Sequence, residues 1–172
     1  MESYSNLLDY QKRITDLQCI MNILGWDLRI STPNDAKDYV INVKTDIEAK
    51  IFELKTNKVY ENLLLECINS PYFNELDEAE QRYIKNLLRH YYEDNNVPQD
   101  FYSEYRKLCS ISNKVWEEAK AENNYDMFKP YLEKIVDMTK KYYSYIDSSH
   151  DLYDVMLNRY ETGMTSAVID NL

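Results

Sequence analysis

The sequence predicts an all-α fold: a single helical domain over residues 1–172, with about seven to eight amphipathic helices in antiparallel hairpins and no sheet. Three observations carry this. The chain has only 2 Gly and 4 Pro in 172 residues, where an average chain of that length would hold about 20 of the two together. So few turn residues leave little to punctuate strands. Hydrophobic residues make up 44% of the chain, too many for a disordered acidic tail, and a chain this long buries roughly 70% of its unfolded surface. Finally, the apolar residues recur at steps of three and four, the helical period.

The first helix is expected from about Ser5 to Leu28, where Leu7, Tyr10, Ile14, Leu17, Met21, Leu24 and Leu28 form an a/d stripe. That stripe suits the seam of an antiparallel hairpin, with a coiled-coil dimer as the other reading. The hairpin is favoured because a second amphipathic helix follows at once. Ser31-Thr32-Pro33-Asn34-Asp35 reads as a loop and helix start. Val40, Val43, Ile47, Ile51 and Leu54 mark the second helix, closed by Asn57. The third runs from Val59 to Ile68 and stops at Asn69-Ser70-Pro71. The fourth starts near Asn74 with acidic residues in its first turn, as the helix dipole prefers, and Tyr83, Ile84, Leu87, Leu88 and Tyr91 give its apolar face.

Asn96-Val97-Pro98-Gln99 opens the fifth helix, with Asn96 as cap and Gln99 reaching back. Its apolar face holds Phe101, Tyr105, Leu108, Val115, Trp116 and Ala119, and Asn123-Asn124 breaks it. Asp126 opens the sixth, with Pro130 tolerated in the first turn, and Leu132, Ile135, Val136, Tyr142, Tyr143 and Ile146 continue it. Ser148-Ser149 introduces a seventh through Leu152, Val155, Met156 and Tyr160, ended by Gly163 at C′. Thr165 then reads as an N-cap. Ala167, Val168, Ile169 and Leu172 begin a further amphipathic face, either a short final helix or the opening turns of a longer one. No internal repeat, low-complexity segment or dividing linker is present.

The net charge of −10 sets the chain against nucleic-acid phosphates. No apolar run approaches the roughly 18 residues of a membrane span, and Met1-Glu2-Ser3 lacks the basic start of a signal peptide. Cys19, Cys67 and Cys109 are widely spaced with no CxxC, which argues against a disulfide framework and a thiolate zinc site and fits reduced thiols in a cytoplasmic protein.

No catalytic, cofactor-binding or metal residue is assigned. His90 and Asp94, four apart, could share a helix face and a metal, but a basic group near a helix C-terminus is the simpler reading of His90. His150, among Ser148, Ser149, Asp151 and Asp154, reads as an exposed residue of a capping turn. HExxH, GxSxG, GxGxxG and the P-loop are absent from the sequence. Carboxylate groups such as Glu117-Glu118 and Asp77-Glu78-Glu80 fit a solvated helix face. The tyrosines fit either a peptide groove or the rim of a core.

Two stretches carry more. Leu24-Gly25-Trp26-Asp27-Leu28-Arg29-Ile30-Ser31-Thr32-Pro33 is similar to the Trp-Asp segment after the first long helix of the carboxypeptidase Taq family. Val97-Pro98-Gln99 and Val115-Trp116-Glu117-Glu118-Ala119-Lys120 follow in order. Next comes Asn123-Asn124-Tyr125-Asp126-Met127-Phe128-Lys129-Pro130-Tyr131-Leu132, and then Leu152 to Thr165 with Tyr160-Glu161-Thr162-Gly163-Met164-Thr165. The ordered set resembles that family over almost the whole chain. Thr32-Pro33 stands where the family has Met-Pro, and Ala36-Lys37-Asp38-Tyr39 where it often has Arg and Gln.

The resemblance implies the N-terminal helical region of a zinc metallocarboxypeptidase, a hydrolase that releases C-terminal residues from peptides and tends to be a homodimer. The family's zinc is held by HExxH and a downstream glutamate, beyond the region matched here, so zinc is implied for the full enzyme and none for this chain. The partners it implies are the catalytic region of the same polypeptide and a peptide substrate. In that reading the chain alone is inactive, its helices form one wall and cover of the cleft, and an apolar patch is left where the catalytic region docks. Trp26 then serves as a core anchor and Asp27 as a helix-end polar residue. The alternative is a stand-alone, non-catalytic helical module that binds peptides or self-associates through the first-helix stripe.

Overall fold

The computed structural model describes residues 1–171. Among them are eight α-helices and no strand, so the fold is all-α. The helices are α1 (Glu2–Ile30), α2 (Lys37–Thr56), α3 (Lys58–Ile68), α4 (Glu78–Asn95), α5 (Gln99–Ala121), α6 (Tyr125–Ile146), α7 (Leu152–Tyr160) and α8 (Ser166–Ile169), with a 3-10 turn at Pro71–Glu75. The expected place of Leu172 on the last apolar face lies outside the described residues. The chain divides into two compact units, Met1–Lys107 and the residues from Leu108 onward.

In the first unit, α1 and α2 form the expected antiparallel hairpin. The Tyr10 hydroxyl, near the start of α1, donates to the Leu54 carbonyl near the end of α2 over 2.9 Å. At the other end, a side chain at Gly25 would meet Lys44 Cε at 3.7 Å. The inner stripe of α1 supplies the seam: Leu7 and Ile14 are sealed, and Tyr10, Leu17 and Met21 pack against the same core. These side chains thus pack within the hairpin, the favoured of the two readings. Ile51, Tyr60, Leu64, Cys67, Phe73, Leu76, Ile84 and Tyr91 complete the core from α2, α3, the 3-10 turn and α4.

Asn57 joins two roles at the α2–α3 junction. Its Oδ1 accepts from the Tyr60 amide at 2.9 Å, capping α3, while its Nδ2 donates to the Tyr10 hydroxyl at 2.7 Å. The Tyr10 and Tyr60 rings stack 5.2 Å apart. The fourth helix starts later than the expected Asn74. Phe73 and Leu76 are buried, which holds the preceding residues in the 3-10 turn. α4 then opens on a capping box: Asp77 accepts from the Glu80 amide at 2.8 Å, and Glu80 accepts from the Asp77 amide at 3.1 Å. Asn96 closes α4 rather than capping α5. Its amide bonds back to the Glu93 carbonyl at 3.4 Å, and the first α5 bond goes instead to the Pro98 carbonyl, from Tyr102 N at 2.9 Å.

In the second unit, α7 packs on α6, and α8 on α7. Asn123 ends α5 in the left-handed region, at φ 52, which asparagine tolerates. The amides of Asn123 and Asn124 return to Lys120 O at 3.3 Å and Ala119 O at 2.8 Å, a Schellman closure. Asn124, not Asp126, caps α6, accepting from Met127 N at 3.3 Å. Pro130 therefore lies in the second turn of α6 rather than the first, and the Asp126 carbonyl loses that amide partner. Asp151, rather than the serine pair, caps α7 through Tyr153 N at 2.9 Å. The helix ends at Tyr160 with Glu161 as C-cap, so Gly163 stands one residue past C′. Its φ of 88 still demands glycine, and its amide donates to Asn158 Oδ1 at 2.8 Å. Thr165 caps α8 as expected, accepting from Val168 N at 3.3 Å.

Candidate functional site

The end of α1 is the first candidate. Asp27 accepts from Ser31 Oγ and from Thr32 Oγ1, each at 2.6 Å, and its carbonyl takes the amides of both residues at 2.9 Å. The hydroxyls of Ser31 and then Thr32 hold its carboxyl below the usual carboxylate range. Every acceptor of Asp27 is thus engaged in ending the helix, the role expected of it. Trp26 departs from expectation: it is 69% exposed, not a core anchor. At about 100° per residue it falls on the side of α1 opposite Leu24 and Leu28.

The two histidines do not assemble a metal site. His90 Nε2 lies 3.2 Å from the Arg89 guanidinium. A guanidinium only donates, so this ring nitrogen accepts and is committed, with a fixed positive charge beside it. Asp94 is buried, away from the position of an open metal ligand. Around His150, Ser149 Oγ donates to Asp147 Oδ1 at 2.6 Å and His150 Nδ1 meets Asp147 Oδ2 at 2.7 Å. The Ser149 hydroxyl, its amide and then His150 push the Asp147 carboxyl down to about 2. In a nucleophilic relay, one ring nitrogen takes the serine proton and the other faces the acid. Here serine and acid crowd the same Nδ1, and the serine proton points at the carboxylate, so the arrangement is an exposed turn.

A third group is one that sequence reasoning passes over. Glu48, on α2, is 2% exposed. Its Oε1 accepts from Arg106 of α5 at 2.7 Å and from Lys44 at 3.4 Å, and its Oε2 receives no hydrogen bond among the described residues. One turn along, Phe52 and Tyr102 stack at 4.0 Å, so the pair pins the first half of α5 to α2. The spacing of Lys44 and Glu48 is the only local signal. Arg106 lies 58 positions away, beyond any helical pattern. Glu61 is buried in the same manner, paired with Lys58 and taking the Tyr91 hydroxyl at 3.4 Å.

Of the carboxylates read as solvated, Asp77 and Glu80 form the cap of α4, and Glu78 is exposed. Tyr60, Tyr91, Tyr142 and Tyr143 are buried core residues, whereas Tyr39, Tyr125 and Tyr160 face solvent. Among the described residues no three His, Cys, Asp or Glu are placed to hold a metal ion. The described residues therefore offer no ligand set for a catalytic zinc. Among the described residues no helix is long and apolar enough to cross a membrane.

Many of the polar groups described above serve caps, turns and buried pairs, and comparison with known proteins shows the family to which these helices belong. The sequence matches the family of carboxypeptidase Taq (M32) metallopeptidases over residues 6–172. The chain belongs to that family. It is 28% identical over 166 residues to carboxypeptidase 1 of Bacillus subtilis (strain 168), covering 95% of this chain and 32% of that protein. The solved structure of BsuCP superposes with a TM-score of 0.91 at 26% identity, over 99% of this chain and 34% of that one. The apo-Mg structure of Pyrococcus furiosus carboxypeptidase gives a TM-score of 0.77 at 25% identity, again over 99% and 34%. The chain thus spans about a third of the length of the relatives it matches.

Proposed function

We propose that the chain is the N-terminal helical part of a zinc metallocarboxypeptidase, a cytoplasmic enzyme that removes single residues from peptide C-termini, and that it is inert alone. One observation carries this reading. The chain matches the family along nearly its full length yet spans a third of its relatives, and its described residues bring no metal-ligand group together. The metal and the residues that work with it then belong to the other two thirds of the polypeptide, and these helices supply one wall of the cleft. The continuity of α5 across the boundary at Lys107 supports reading residues 1–172 as one helical domain.

The test is to incubate the purified chain, with added zinc or cobalt, with a peptide bearing a free C-terminal carboxylate, and to follow its mass. The peptide should stay intact. Loss of C-terminal residues that copurifies with the chain contradicts the reading.

A further inference from the structure

The second half of α1 is apolar on both sides. Its inner side, with Leu17, Met21, Leu24 and Leu28, faces the hairpin partner. On the opposite side Cys19, Ile23, Trp26 and Ile30 follow one another at steps of four, three and four. Cys19 is exposed, and Ile23, Trp26 and Ile30 are 62%, 69% and 65% exposed, with Ile20 beside them at 46%. Single exposed apolar residues are ordinary, but a contiguous row at a/d spacing headed by a tryptophan marks an interaction face. Nothing in the first unit's own packing uses it.

We infer that this outer face of α1 (Cys19, Ile23, Trp26, Ile30) is where the remaining two thirds of the longer polypeptide docks, which rests on the reading given under Proposed function. Two arguments choose this occupant over a second copy. The row offers five side chains on one helix, against the roughly 20–30 residues a side of a standard interface between free proteins. Each copy also carries a net charge of −10, which opposes association of two like chains. A face too small to hold a free partner suffices for a tethered one, since a linker replaces bulk concentration with a high effective one. The relatives supply such a tethered partner: the same helices in BsuCP are 34% of a longer chain.

Cys19 is the reporter. Its alkylation by iodoacetamide is timed by peptide mass in the chain alone and in a full-length hybrid, in which this chain replaces the matching third of the Bacillus subtilis carboxypeptidase. Docking slows labelling in the hybrid by about tenfold or more. The paired change Ile23→Lys and Trp26→Lys restores the rate and lowers the hybrid's melting temperature, while leaving that of the chain alone unchanged. A hybrid that folds and trims peptides but labels Cys19 as fast as the free chain overturns the docking face and leaves the enzyme reading intact. A hybrid that protects Cys19 and trims nothing upholds the docking face and overturns the enzyme reading. Protection that arises in the chain alone as its concentration rises assigns the face to a second copy, and so overturns the inference. So does a hybrid that does not fold while the chain alone does.

Discussion

The Arg106 guanidinium donates to Glu48 Oε1 over 2.7 Å, and only 2% of Glu48 reaches solvent. Removing one member of such a pair costs more than removing both, because the carboxylate left behind stays buried. Arg106→Met should destabilise the chain by about 2–3 kcal/mol, at the low end for a buried pair since the guanidinium is itself a third exposed. The joint change Arg106→Met with Glu48→Met should recover most of that loss. Urea midpoints of the four proteins check this, and additive losses would contradict it.

Asn57 separates two functions of one side chain. Asn57→Asp keeps an oxygen for the Tyr60 amide but loses the Nδ2 donor to Tyr10. Asn57→Ala loses both. The alanine variant should cost about 1–2 kcal/mol and the aspartate variant about half as much. Equal losses in thermal unfolding would mean that the cap contributes nothing.

The two faces of α1 should respond differently. Ile14→Ala, in the sealed seam, should cost about 2–4 kcal/mol through lost burial and a residual cavity. Ile23→Ala and Trp26→Ala, on the outer face, should each stay within about 0.5 kcal/mol in the chain alone. Denaturant titration decides. A large loss at Trp26 would show that its exposure is not a property of the chain in solution.

The Asp147 carboxyl should titrate near 2, below its ordinary 3.8, chiefly because the Ser149 hydroxyl and amide bond to its charged form. A folded value below the unfolded one gives a stabilising contribution that is present above about 3.8 and fades as pH falls toward 2. Ser149→Ala should move the carbon-detected NMR midpoint of Asp147 upward toward 3.8. An unmoved midpoint would assign the shift to some other group.

How much the sequence discloses depends on whether a signal is local. The inner face of α1 is legible because Leu7, Ile14 and Leu17 mark it at helical spacing, and the break at Asn123-Asn124 because asparagine tolerates the left-handed turn. The start of α4 is partly legible: Asp77 and Glu80 carry the capping-box spacing, but burial of Phe73 and Leu76 decides that the preceding residues form a 3-10 turn. Glu48 is not legible at all. A glutamate amid Lys44, Thr45 and Lys50 looks solvated until α5 brings Arg106 beside it. Trp26 misleads in the opposite sense, since a tryptophan reads as core whether its burial comes from this chain or from one that docks on it. The family is legible through ordered segments such as Val115 to Lys120 and Tyr160 to Thr165.

Under the proposed function these helices are one part of a longer enzyme. The most direct test is the mass of the native product in its source cells, detected with an antibody raised against this chain. The expected product is about three times the 20.6 kDa of this chain, as its 34% share of BsuCP implies. A sole product at 20.6 kDa would contradict it and make the helical scaffold a protein in its own right.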